Sequence, residues 1–360
     1  MISRLFHRWE HRLADRTTDR VVRPFDWGLE WLPSNGHSAP DPAHQPGEIV
    51  ERWVEEVMQE CGAFFSPASE STDFAFDPAP ADLREKGEAG TLRFESALVT
   101  PHAENNVAAA RWFPSAGESR LGPARGRGRA VVVLPQWNSD AEGHVGLSRL
   151  LARCGVSALR LSLPYHDCRM PSELTRADYI VSSNVVRTVQ VCRQAVLDAR
   201  SAVAWLASLG FERIGILGTS LGSCLAMLTA AHEPRIRAQA LNHVSPWFAD
   251  VVWRGLSTRH VRLGLDGHVD VDRLRHLWRP ISPWSHLECA QERAIRTLLV
   301  YAKYDLTFPV DLSKALVDEY ARRGIPHEVA VLPCGHYSTG YAPFKFVDGY
   351  VLTRFLRRNL

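Results

Sequence analysis

Glu212–Glu233 reads ERIGILGTSLGSCLAMLTAAHE, a short apolar run, RIGILG, followed at once by a run of helix formers, LGSCLAMLTAAH. Such a run bounded by turn residues is a buried strand, and the residues after it favour a helix. Ser220 falls at the junction, inside Gly218-Thr219-Ser220-Leu221-Gly222. It is either a nucleophile on a sharp strand-to-helix turn, where small residues two places away on each side admit neighbouring chain, or the N-cap of the helix. A dinucleotide-binding turn needs G-x-G-x-x-G, whereas the glycines here stand at 215, 218 and 222. By composition alone the pentapeptide turns up in roughly one chain of this length in ten, so its surroundings must decide.

Outward from this stretch, AVVVLP, SALRLSLP, AQALNHV, TLLVYA and HEVAVLP are further short apolar runs. Most are separated by helix-length segments such as VVRTVQVCRQAVLDARSAVAWLASLG. Apolar strands alternating with helices predict a parallel sheet covered on both faces. Ahead of them TLRFESALVT and NNVAAARWFP predict two antiparallel strands, and GPARGRGR an exposed turn. The α/β domain is therefore expected over 90–360.

A serine hydroxyl needs a base to take its proton, and the base needs a carboxylate to orient it. KYDLTFP, after the TLLVYA strand, puts Asp305 beyond a strand end, and CGHYSTG, after HEVAVLP, puts His336 in a glycine-flanked loop beyond the last strand. The order Ser220, Asp305, His336 is the one a nucleophile-elbow hydrolase uses. With GTSLG, YAKYDLTFP and PCGHYS in these places, the chain from about Gly90 to Leu360 resembles the α/β-hydrolase superfamily, in particular serine hydrolases of the abhydrolase-domain type. The resemblance implies an eight-stranded, mostly parallel sheet with helices on both faces. It also implies an oxyanion hole made by the amide of Leu221 and an amide after the AVVVLP strand. Where many relatives begin that loop with His-Gly, this chain has Pro135 and Gln136, which makes Trp137 the candidate for the second amide, with its indole a candidate wall of the acyl pocket.

Other residues compete for these roles. Asp250, in SPWFAD, is the alternative triad carboxylate, and Asp311 is expected to cap the helix DLSKALVDEYARRG. His144, His166 and His243 stand near strand ends or the oxyanion loop and are expected in structural or pocket-lining roles. Cys224, one helical turn after Ser220, is expected in the core. About fifty residues, roughly 245–296, separate two consecutive strands, far more than a crossover needs, so a helical lid is expected there. Its many aromatic residues either wall the site or fill the lid's own core. Trp247 and Phe248, with Gln136 and Tyr337 outside the lid, are the candidates for the pocket.

The first 89 residues are expected to form a helical extension without catalytic groups. Residues 1–23 carry Arg4, Arg8, Arg12, Arg16 and Arg20 beside Ile2, Leu5, Phe6, Trp9 and Leu13 at helical spacing. The acids Glu10, Asp15 and Asp19 interrupt the basic face and favour packing on the main domain or a second subunit over peripheral membrane contact. Pro33–Pro46 reads as a connector, Ile49 onward as a second helix, and 66–90 as irregular.

A net charge of +2 over 360 residues gives no bulk attraction for nucleic acid. Seven cysteines without a CxxC pair or a tight cluster indicate buried thiols rather than a disulfide framework or a metal site. With no apolar leader, a cytoplasmic protein is expected. The resulting expectation is a serine esterase, without metal or organic cofactor, acting on a small-molecule ester with an apolar acyl or aromatic group. An acyltransferase, a peptidase and a catalytically silent binding protein are the alternatives on the same fold. Substrate identity and oligomeric state stay open.

Overall fold

The computed structural model describes residues 2–32, 45–67, 73–116 and 128–360. Nine strands form one sheet in the order β1-β2-β3-β5-β4-β6-β7-β8-β9. They are β1 (Ala75–Pro78), β2 (Gly90–Glu95), β3 (Val107–Phe113), β4 (Arg129–Leu134), β5 (Ser157–Leu161), β6 (Arg213–Thr219), β7 (Ile236–Asn242), β8 (Arg296–Ala302) and β9 (His327–Leu332). β1, β2, β3 and β5 pair antiparallel in succession, and every pairing from β5 through β4 to β9 is parallel. The burial pattern follows this division: β4 and β6 are apolar at nearly every position, whereas β2 alternates along its outer half.

The eight expected strands are all present, and β1 is the addition. It lies in a stretch read as irregular and carries the sheet's edge ahead of residue 90. Proline ends it at Pro78, and an edge strand tolerates a missing N–H, which is why FDP forms a strand despite its turn-like composition. The exposed turn expected at GPARGRGR and most of the Pro33–Pro46 connector lie outside the described residues.

Labelled helices follow the chain: α1 (Ile2–Ala14), α2 (Pro46–Gln59), α3 (Val145–Arg153), α4 (Val185–Ser208), α5 (Leu221–His232), α6 (Phe248–Arg254), α7 (Arg259–Leu265), α8 (Val271–Leu277), α9 (Leu287–Arg293), α10 (Val310–Arg322) and α11 (Phe344–Asn359). α5 is apolar on all sides because it is enclosed, by β6 and β7 beneath it and by α4 and the insertion above. On the opposite face, α3 and α11 bury Leu151, Leu352, Phe355 and Leu356 against Val131, Val133 and Leu217.

α6 to α9 occupy the fifty-residue insertion. Trp278 inside it is fully buried, stands edge-on to Phe248 and donates its indole N–H to the carbonyl of Val185, so part of the aromatic content packs the insertion onto α4. The insertion is also fastened to the N-terminal extension, through Arg273 to Glu51 at 2.8 Å and through Phe25 stacked on His268 at 4.4 Å. α1 lies on the α/β domain with Phe6 stacked on Tyr304 and Trp9 against Tyr341 and Phe344, while Ile2 and Leu5 face solvent. No helix among the described residues is long and apolar enough to cross a membrane.

Candidate active site

The turn after β6 is tight because two glycines remove the side chains that would block it. A Cβ on Gly218 would stand 2.0 Å from the carbonyl oxygen of Gly222, and one on Gly222 would stand 2.2 Å from that of Leu134 and 2.5 Å from that of Pro135. Between them Ser220 is held at φ 57° and ψ −120°, a conformation that L-residues adopt only when the surrounding chain enforces it. The enforcing contacts are its N–H to the carbonyl of Asn242 at 2.8 Å and its carbonyl, which accepts from Oγ of Ser223 at 2.7 Å. Ser220 occupies the N-cap position of α5, yet its side chain makes no capping bond. Its hydroxyl meets Nε2 of His336 at 3.1 Å instead.

Nδ1 of His336 is 2.9 Å from Oδ2 of Asp305. The other carboxylate oxygen accepts the backbone N–H groups of Thr307 at 2.8 Å and Phe308 at 2.7 Å. The three residues expected from three separate strand ends are thus linked in one chain of hydrogen bonds. Burial opposes charge on Asp305, but the His336 charge and the hydrogen bonds from His243 and His336 outweigh it and hold the carboxyl well below the usual range. Burial likewise lowers the basicity of His336, and the charge and hydrogen bond of Asp305, with the Glu10 carboxylate behind them, reverse this and raise it above the ordinary histidine value. Phe308 stacks on the His336 ring with centroids 5.3 Å apart, which fixes its plane.

The structure adds a member to this chain. His243, buried just after β7 at φ 58°, points Nδ1 at the same Oδ2 of Asp305 from 2.9 Å. An ionised carboxylate only accepts, so both Nδ1 atoms carry the protons. His243, Asp305 and His336 are the grouping, among the described residues, with metal-ligand spacing. A metal ion there would have to displace both imidazole protons from a carboxylate whose other oxygen already takes two amides.

His166 and His144 brace the loop and the elbow. Burial lowers both to about 4, so they are neutral near pH 7. His166 donates from Nδ1 to the carbonyl of Pro164 and accepts the N–H of Asn138 on Nε2 at 3.0 Å, which holds the loop carrying Trp137. Nε2 of His144 meets the hydroxyl of Thr219, next to the nucleophile position, at 2.9 Å. The loop is pinned again by the Trp137 indole N–H on the carbonyl of Ala177 at 2.8 Å.

Above Ser220 and Leu221 lies an apolar cavity with about 40 Å³ of free space, room for about three water-sized groups. Trp137, Trp247, Phe248, Val252 and Phe308 wall it, and Cys224 lies in its floor. Trp247 is itself backed by Trp284, stacked at 5.1 Å. Gln136 and Tyr337 are not among the lining residues: the carbonyl of Gln136 closes a turn onto Ser139, and the Tyr337 hydroxyl is turned to Arg20 at 3.3 Å.

The alternative carboxylate is set aside, and one expectation is corrected. Asp250 is held inside the insertion by a two-pronged pair with Arg275, 2.7 Å at each oxygen, and does not reach the histidine. Asp311 is not the N-cap of α10, where Pro309 stands; its carboxylate pairs with Arg254 at 2.8 Å. Cys224 is in the core as expected, with burial driving its thiol far above the usual range.

The fold recurs in solved structures. An acetyl xylan esterase from Paenibacillus sp. R4 aligns with a TM-score of 0.60 at 15% identity, over 92% of this chain and 98% of its own. The chain has the α/β-hydrolase fold. Acetyl xylan esterase 1 from Thermoanaerobacterium sp. JW/SL YS485 aligns at 0.56 and 14% identity over 92% and 99% of the two chains. Pyrococcus horikoshii acylaminoacyl peptidase aligns at 0.58 and 15% over 79% of this chain, which spans 42% of the peptidase's length. No family model matches the sequence, and no curated protein matches it.

Proposed function

We propose that this α/β-hydrolase cleaves a carboxylic ester carrying a small apolar acyl group, through an acyl-enzyme on Ser220. The observation that carries the reading is the continuous hydrogen-bond chain from Oγ of Ser220 through His336 to Asp305, starting on a strained elbow under an apolar cavity. His336 takes the proton from Ser220 through Nε2 as Oγ attacks the carbonyl carbon. Asp305 keeps the Nδ1–H tautomer and stabilises the imidazolium. The negative oxygen of the tetrahedral intermediate accepts from the amides of Leu221, the first residue of α5, and Trp137, each such donor contributing roughly 10²–10³-fold in rate. His336 then returns its proton to the leaving alkoxide. Water, deprotonated by the same Nε2, attacks the acyl-enzyme, and the imidazolium gives that proton to Oγ as the bond from the acyl carbon to Ser220 breaks, releasing the acid and restoring free Ser220 and neutral His336.

The acyl group occupies the space between Trp137, Trp247 and Phe248. Its size favours acetyl to butyryl groups, and the names of two structural neighbours, acetyl xylan esterases, point to the same acyl size. The insertion at 245–296 serves as the lid, since Trp247, Phe248 and Val252 come from it and exclude water. The test is labelling by a fluorophosphonate. The wild type is expected to be modified at Ser220 and Ser220→Ala to be inert, while undiminished labelling of a folded Ser220→Ala overturns the reading.

A further inference from the structure

α1 belongs to the N-terminal extension, where no catalytic group was expected, yet it contributes the fully buried Glu10 to the histidine loop. Oε2 of Glu10 accepts the N–H of Tyr337 at 2.8 Å and Oε1 accepts that of Ser338 at 2.9 Å, the two residues that follow His336. On the other side the loop closes on itself, with the N–H of Gly335 on Oγ of Ser338 at 2.8 Å. Gly335 leaves the space the carboxylate needs, because a Cβ there would stand 2.3 Å from Cδ of Glu10. Around this contact, Arg20 reaches the Tyr337 hydroxyl and Arg16 the Tyr341 hydroxyl, so the extension grips the loop at several points.

Two consecutive amides aimed at one carboxylate fix the loop's backbone in both rotation and height. A charge buried away from solvent acts on the neighbouring imidazole with little screening. We propose that Glu10 is a positioning residue for His336: it holds the histidine loop in register with Ser220 and supplies a negative charge that favours the imidazolium formed in the reaction. This inference rests on the reading of Ser220, Asp305 and His336 as a triad. It assigns the N-terminal extension a part in the chemistry, beyond packing. The charged or titratable groups facing the loop are Asp305 and His243 from the β8 and β7 loops, Glu10 and Arg20 from the extension, and Cys334 and Asp348 from its own flank and α11. Of these, Glu10 alone bonds the loop's main chain beside the histidine.

The experiment compares wild type, Glu10→Ala, the isosteric Glu10→Gln and Gly335→Ala, each as the full chain, by rates on p-nitrophenyl acetate across pH and by fluorophosphonate labelling. Glu10→Ala is expected to lower kcat by roughly 10–100-fold with KM nearly unchanged. Glu10→Gln keeps the shape and one acceptor but not the charge, so it should fall between the two and move the acid limb of kcat/KM to lower pH. Gly335→Ala, which pushes the carboxylate aside from beneath, should reproduce the Glu10→Ala loss. Folded Glu10→Gln and Gly335→Ala proteins with wild-type kcat and an unmoved acid limb overturn the proposal. A wild type that is not labelled at Ser220 overturns the triad and this inference together, whereas labelling of wild type with unaffected Glu10 variants overturns this inference alone.

Discussion

His243 donates its Nδ1 proton to Oδ2 of Asp305 across 2.9 Å. That oxygen also accepts from His336, so the two imidazoles share one acceptor with their rings 4.3 Å apart. Each proton that Asp305 accepts from His243 draws carboxylate charge away from His336.

The pH dependence follows. His336 is active as a base when neutral, and its raised basicity puts the acid limb of kcat/KM above 6.5, the ordinary histidine value. His243→Ala removes a competing donor, leaves more charge on Oδ2 for His336, and should move that limb further up. A wild-type limb at or below 6.5, or a His243→Ala limb that moves down, contradicts this account of the carboxylate.

Gly222 cannot take a side chain. A methyl group there meets the carbonyl oxygens of Leu134 and Pro135, which are main chain and cannot swing away. Gly222→Ala should lose at least about 2 kcal/mol in urea unfolding and be labelled poorly by a fluorophosphonate. Wild-type stability would show that the β4 loop does not sit as tightly on the elbow as described.

Asp348 gives a stability prediction with the opposite sign to Asp305. Burial raises its carboxyl to about 6, against smaller opposing effects from His243 and from the Asn242 amide that bonds Oδ2. The folded protein therefore holds this proton more tightly than the unfolded chain. Stability from this group is full below about pH 4 and lost as pH rises through 6, by about 3 kcal/mol. Asp348→Asn should accordingly be more stable than wild type at pH 8, with the advantage shrinking as pH falls from 6 to 4. A difference that is constant across pH, measured by urea unfolding, would contradict it.

Trp247 is part of the cavity's apolar wall. Trp247→Ala enlarges the cavity on that side and should shift the preferred p-nitrophenyl ester from acetate or butyrate towards longer chains. An unchanged chain-length profile would place the acyl group elsewhere.

Much of this was legible in the sequence, for identifiable physical reasons. The inner parallel strands are largely buried on both faces and therefore read as apolar runs, and Ser220 and Asp305 each follow one of them, whereas His336 follows the edge strand β9, which is apolar in sequence although Val329 and Val331 are exposed. Gly218 and Gly222 were legible because an elbow demands small residues at fixed spacing. What stayed hidden depends on contacts between distant parts of the chain. Glu10 meets a loop more than three hundred residues away, and nothing in RWEHRL marks it as anything but a solvated acid. His243 looks like any loop histidine until β7 and β8 are placed side by side. Asp250 stayed open as an alternative to Asp305, and Asp311 was misassigned as a cap, because their arginine partners, Arg275 and Arg254, come from the folded insertion. β1 escaped because FDP reads as a turn where the sheet edge tolerates it.

The most direct test of the central claim is to mix the protein with p-nitrophenyl acetate, quench with acid during the first turnovers, and locate any acetyl group by peptide mass spectrometry. The account predicts one acetyl group on the Ser220 hydroxyl, a burst of p-nitrophenol, and neither in Ser220→Ala. Turnover with the acetyl group on another side chain, or turnover that survives in Ser220→Ala, would contradict it.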